Sequence, residues 1–138
     1  MRPVVGKKKR QREAPVVAGA KQLFRMHATA GRLVWKRVNT AGVIRTVRGR
    51  TFMTKNHDQD GISDFLVWIY QGPMLCLEAK APGGRLEDSQ REFEAQLRRI
   101  GHPYYLFRSL DELEEILAKY GVPRLTLVPF TDTPHPSN

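Results

Sequence analysis

The first 56 residues of this 138-residue chain contain a single acidic side chain, Glu13, among 15 lysines and arginines. Positions 57–138 hold 13 acids and 8 bases, so the two halves carry +14 and −5 and the chain +9 overall. A front half so poor in acid cannot neutralise itself, and beside a carboxylate-bearing half it suits a polyanion held over a metal site. Cysteine is also scarce. The lone Cys76 excludes an internal disulfide, and its place in Leu75-Cys76-Leu77 assigns it to a core, not to a nucleophile. No apolar run approaches the roughly 20 residues of a membrane span, and the basic N-terminus lacks the apolar core of a secretory signal. The expected setting is therefore away from membranes: cytoplasmic in a bacterial or phage-infected cell, nuclear in a nucleated one. There is no internal repeat.

The length fits one domain with a modest core. Residues 1–15, with Lys7-Lys8-Lys9-Arg10 and no apolar periodicity, read as a disordered basic tail, either solubilising or a nucleic-acid arm or, in a nucleated cell, a localisation signal. The domain is expected over 16–130, and 131–138, with Pro134 and Pro136, as a loose tail. Val16, Val17, Ala20, Leu23, Phe24 and His27 recur at a helical period, with Gly31 as a stop. Leu33 to Val38 alternates as a strand, with Trp35 as core. The segment 39–60 carries Arg45, Arg48, Arg50 and Lys55 on a long loop or ragged hairpin, and together with Lys36 and Arg37 these are the candidate nucleic-acid contacts.

The stretch from Gly61 to Gln90 carries the chemistry. Phe65 to Tyr70 and Met74 to Leu77 read as strands around Gln71-Gly72-Pro73, a hairpin. With a three-residue loop, Tyr70 faces Met74, Asp64 faces Lys80, and Glu78 lies diagonally beside Asp64 on the same face, whereas a one-residue slip would separate them. Glu78 and Lys80 share a face in any register. A strand ending in Glu-Ala-Lys costs free energy unless its charges are paired or bind something. Two converging carboxylates suit a hard cation such as Mg²⁺, and the lysine can orient or deprotonate a water or offset charge on a phosphate under attack.

Downstream, a Pro-Gly-Gly turn leads into a helix over about 87–100, with Leu86, Gln90, Phe93, Leu97 and Ile100 on its inward stripe. Gln90 there needs a partner, either a core backbone group or water and phosphate at the metal site. A third core strand follows over Tyr104 to Arg108. Ser109 to Glu112 resembles a capping box opening the last helix, buried through Leu110, Leu113, Ile116, Leu117 and Tyr120. An edge strand is expected over 125–130. The predicted fold is α/β, a central mixed β-sheet flanked by helices.

Asp64, a hairpin, then Glu78-Ala79-Lys80 resembles the PD-(D/E)xK nuclease superfamily. The fuller string Gly61-Ile62-Ser63-Asp64, Glu78-Ala79-Lys80, Ala81-Pro82-Gly83-Gly84-Arg85-Leu86 and Gln90 resembles the virus-type replication-repair nuclease (VRR-Nuc) family over residues 31–117. The resemblance implies a restriction-endonuclease-like core and Mg²⁺- or Mn²⁺-dependent phosphodiester hydrolysis in DNA repair, with stand-alone members acting as homodimers on branched DNA such as flaps and four-way (Holliday) junctions. It further implies Asp64, Glu78 and the Ala79 carbonyl as metal ligands, Lys80 as the water-orienting residue, and Gln90 as the fourth site residue. One departure stands out: the family has a glutamate on its first helix, and between Glu13 and Asp58 this chain has no acid, with Gln22 nearest by position. The competing class is a non-catalytic DNA-binding module on a nuclease-like scaffold, for which Asp64, Glu78, Lys80 and Gln90 would be superfluous.

Overall fold

The computed structural model describes residues 5–38, 43–54 and 57–125. In chain order the elements are helix α1 (Val5–Thr29), strand β1 (Leu33–Arg37), a hairpin of β2 (Val43–Val47) and β3 (Arg50–Thr54), strands β4 (Phe65–Ile69) and β5 (Met74–Ala79), helix α2 (Asp88–Arg99), strand β6 (Tyr104–Phe107) and helix α3 (Leu110–Ala118). Four strands form a mixed sheet in the order β1-β4-β5-β6. β1 and β5 run antiparallel to β4, and β6 runs parallel to β5. That parallel pair needs a crossover, which α2 supplies. This is the expected α/β architecture, consistent with a restriction-endonuclease-like core.

One face of the sheet packs on α1 and α3. Ala20, Leu23 and Phe24 from α1 meet Leu33, Phe65, Val67, Leu75, Leu77 and Phe107 from the strands and Leu113, Ile116 and Leu117 from α3. Phe24 stacks edge-on against Phe65 with ring centroids 5.1 Å apart, and Trp35 joins them as a half-buried core residue. β5, one of the two inner strands, is buried from Leu75 through Ala79, which explains why its sequence is nearly continuously apolar until the site begins.

Four expectations need correction. Helix α1 starts at Val5, inside the segment expected to be disordered. Lysine, arginine and glutamine are good helix formers without any apolar period, so lack of periodicity does not argue against a helix there. Helix α2 keeps Leu86, Gln90, Phe93 and Leu97 only half-buried and leaves Ile100, past its end, 70 % exposed. The helix seats through Phe93 on Tyr104 (6.0 Å) and covers only that side of the sheet. The segment 39–60 is in part a regular hairpin, closed by Arg48-Gly49 with φ of 52° and 75°, the left-handed pair of a tight two-residue turn.

The fourth correction is the register. Trp68 pairs with Met74 and Phe65 with Leu77, so the next step places Asp64 opposite Glu78, not Lys80. The shift is two residues, which preserves the shared face. Its cause lies in the turn, where the Tyr70 amide donates to Arg32 O on the β1 side (2.9 Å), not across the hairpin. Gly72 N–H returns to Ile69 O (3.0 Å), and Gln71 takes a left-handed φ of 51°. Residues 70–73 form the loop, closed by the Ile69 amide on Pro73 O (3.2 Å). Of the expected edge strand at 125–130, all beyond Leu125 lies outside the described residues, as does the 131–138 tail.

Candidate functional site

The site lies at the end of the hairpin where β4 begins and β5 finishes. The Asp64 backbone N–H donates to Glu78 Oε2 (2.8 Å), and the Ala79 N–H donates to Asp64 Oδ2 (2.9 Å). Each carboxylate thus takes the place of a missing ladder partner, satisfying a backbone amide that the shortened strand pairing leaves free. The Lys80 amide continues the ladder on the other side, to Phe107 O (3.0 Å). Because amides alternate along a strand, Ala79 turns both its N–H and its carbonyl toward the Asp64 side.

Gln90 answers the question its position poses. Its Oε1 accepts from the Glu87 backbone N–H (2.9 Å) at the start of α2, and its Nε2 donates to Glu78 Oε1 (2.8 Å). The first contact fixes which end of the amide faces the site. Structural and site roles therefore reside in one side chain. Gly61 makes this docking possible: at φ +82°, a Cβ there would lie 2.1 Å from Ser89 O in the first turn of α2. Only glycine lets the loop before Asp64 lie against the helix that carries Gln90.

Lys80 Nζ sits 3.4 Å from Glu78 Oε1, with both side chains more than nine-tenths buried. The Ala81 to Arg85 turn beyond it is held by Arg108, whose Nε and Nη2 both donate to Gly84 O (3.0 and 2.8 Å). The electrostatics are those of a strained anion pair. Burial, then the neighbouring Asp64 charge, push the Glu78 carboxyl up to about 7, opposed by Lys80 and by the Gln90 and Asp64 donors. Burial also raises Asp64, opposed by the Ala79 amide, Lys80 and Arg37.

The chemistry of this donor set fits a divalent cation of the Mg²⁺ or Mn²⁺ kind. It offers hard oxygens only, from two part-buried carboxylates laced to each other's backbone and a carbonyl turned to their side, where their mutual repulsion is only partly offset by Lys80. Among the described residues no cluster of three or more His, Cys, Asp or Glu side chains gathers.

The other expected contacts divide. Arg37 is exposed at the end of β1 and lines a cleft that Asp64 also lines. Lys36 is exposed on the opposite face of β1. Arg48 and Arg50 are exposed on the β2–β3 hairpin, which packs on no other element among the described residues. Lys55 and the Arg45 side chain lie outside the described residues. Sequence reasoning does not single out Lys21 and Arg25, which line the Asp64 cleft from α1. Their i, i+4 spacing was the available signal. The first helix does carry an acid, since α1 includes Glu13 and Glu13 lines the same cleft.

A comparison with protein families matches the VRR-NUC domain over residues 11–111. The match takes in the whole of the site and reaches back into the Glu13-bearing half of α1. The comparison with curated proteins found no match.

Proposed function

The chain belongs to the VRR-NUC family, and from that membership we propose that it is a Mg²⁺- or Mn²⁺-dependent endodeoxyribonuclease hydrolysing phosphodiester bonds in branched DNA, either flaps or four-way junctions. The observation that carries the reading is the reciprocal lacing of Asp64 and Glu78, which brings two anions together in a buried position with a lysine beside them. Asp64, Glu78 and the Ala79 carbonyl would hold the cation. When bound, it would supply Lewis acidity toward a phosphoryl oxygen.

The chain's own residues do the rest. Lys80 holds the attacking water or offsets charge building on the scissile phosphate, in a site dry enough for that charge to count. Gln90 keeps Glu78 oriented and supplies a donor that favours its ionised form. Glu78 and Lys80 together place opposite charges on one face of β5, so the water and the phosphate are oriented by groups that do not need to reorganise.

Branched-DNA selectivity and a homodimer come from the family resemblance. An uncovered apolar strip, Val34 paired with Trp68 and 60 % and 42 % exposed, supports a second copy as its cover. Function on DNA also favours a cytoplasmic or nuclear location, and among the described residues no helix is long and apolar enough to cross a membrane. The test is incubation of purified protein with labelled linear, nicked, flapped and four-way DNA, with and without Mn²⁺. Mn²⁺-dependent cutting of the branched forms is expected, while binding without any cutting would favour the non-catalytic module.

A further inference from the structure

The cleft beside Asp64 has a volume of about 550 Å³, and its lining includes Glu13, Lys21, Arg25, Arg37 and Asp64. Its charge is arranged. Lys21 and Arg25 stand one turn apart on the same flank of α1, about 6 Å along the axis, and Arg37 closes the cleft from the end of β1 next to Asp64. Ala14 and Ala18 on that flank keep the N-terminal part of the wall low. Arg25 also lies over the Trp35 ring, 5.9 Å from its centroid, which steadies its guanidinium at the rim.

Position sets these three cations apart, around a cleft that Asp64 also lines. In the acidic half, Arg91 pairs with Asp88, Arg98 with Glu94, and Arg124 with Asp111 and Glu115. Among the described residues, none of Lys21, Arg25 and Arg37 forms an ion pair, although two carboxylates line the same cleft. Cations left unmatched around a concave surface that ends at a nuclease site suit an external polyanion. Glu13, nearer the start of α1, bounds the path at one end, and Asp64 bounds it at the other.

We propose that this cleft seats the DNA strand to be cut, with Lys21, Arg25 and Arg37 holding backbone phosphates next to the scissile one. The proposal rests on the nuclease reading for the position of the scissile phosphate, but it assigns strand binding to α1 and the end of β1 instead of the β2–β3 hairpin. The contacts are to phosphate, so they set register and carry no sequence preference.

The test measures binding by fluorescence anisotropy of a labelled flapped DNA at several salt concentrations without divalent ions, so that cleavage plays no part. Lys21→Gln with Arg25→Gln should weaken binding at 0.15 M salt by about tenfold or more and make the log–log salt dependence shallower by about 2. Arg98→Gln with Arg99→Gln removes the same charge from the far end of α2 and should leave the slope near that of wild type. Both proteins are checked by thermal melting. If Arg25→Gln disturbs the Trp35 contact, Lys21→Gln with Arg37→Gln carries the same expectation. A cleft variant with the wild-type slope, a control that loses as much, or a wild type that binds no DNA overturns the proposal. Cleavage is read separately: a wild type that binds through the cleft but never cuts ends the nuclease reading and leaves the cleft assignment standing, and the reverse holds if cutting persists while the cleft variants bind normally.

Discussion

Asp64 and Glu78 exchange hydrogen bonds through each other's backbone surroundings: the amide of Asp64 goes to the Glu78 carboxylate, and the amide following Glu78 goes to the Asp64 carboxylate. The site is therefore part of the hairpin's own closure. Moving either carboxylate to bind a cation would free an amide, so the ligands are held near one arrangement by the same bonds that end the strands.

This lacing sets the behaviour of Asp64→Asn. The amide oxygen can still accept from Ala79, but the second anion is gone. The apo protein should gain about 1 kcal/mol at pH 8 through relief of repulsion, while the rise in melting temperature that Mn²⁺ gives the wild type should largely vanish. A thermal-shift titration decides it, and an undiminished Mn²⁺ shift would contradict the metal assignment.

Glu78 gives the apo fold a specific pH dependence. Its folded pKa of about 7 lies above the ordinary 4.5, so the folded state binds the proton more tightly than the unfolded chain does. The stabilising contribution is complete below about pH 4.5 and is lost as pH rises through 7, by up to roughly 3 kcal/mol. Glu78→Gln lacks this titration. Its stability relative to wild type, from urea unfolding at a series of pH values, should rise between pH 4.5 and 7, and a flat difference would rule the shift out.

Gln90→Leu removes the donor that favours ionised Glu78 and the acceptor for the Glu87 amide. A cost of about 1 kcal/mol in stability is expected. The informative readout is the pH profile of cleavage, whose acidic limb should move to higher pH as Glu78 becomes harder to ionise. A slower enzyme with an unmoved limb would restrict Gln90 to helix capping.

At Gly61, alanine would combine an unfavourable positive φ with a contact to Ser89 O at 2.1 Å. Gly61→Ala should cost about 2 kcal/mol or more, measured by chemical denaturation, since either the loop before Asp64 or the first turn of α2 must move. A neutral substitution would show that this contact does not position the site.

Much of this was legible in the sequence because it depends on parity. Glu78 and Lys80 share a face by alternation alone, and a two-residue error in register, set by where the Tyr70 amide bonds, left Asp64 on that face. Helices α1 and α3 announced their buried stripes through apolar spacing. Less legible were features that depend on three-dimensional meeting. Glu114, on α3, is buried within electrostatic reach of His27 and accepts from the Leu125 amide, which no local pattern foretells. The start of α1 escaped because charged residues form helices without a stripe, and with it went Glu13's place on the first helix. The half-covered face of α2 escaped because a helical period says which side turns inward, not how much sheet lies there to meet it.

In the proposed nuclease, Lys80 works on the reaction at a cation-binding carboxylate pair. Methionine at this position keeps most of the stem and removes the ammonium. The decisive measurement compares wild type and Lys80→Met for Mn²⁺-dependent cleavage of a labelled branched DNA under single-turnover conditions, with affinity for the same DNA measured alongside. Wild type is expected to cut, and Lys80→Met to cut about two orders of magnitude or more slowly while binding within a few-fold. Equal cleavage by the two proteins, or none by wild type, would contradict that expectation.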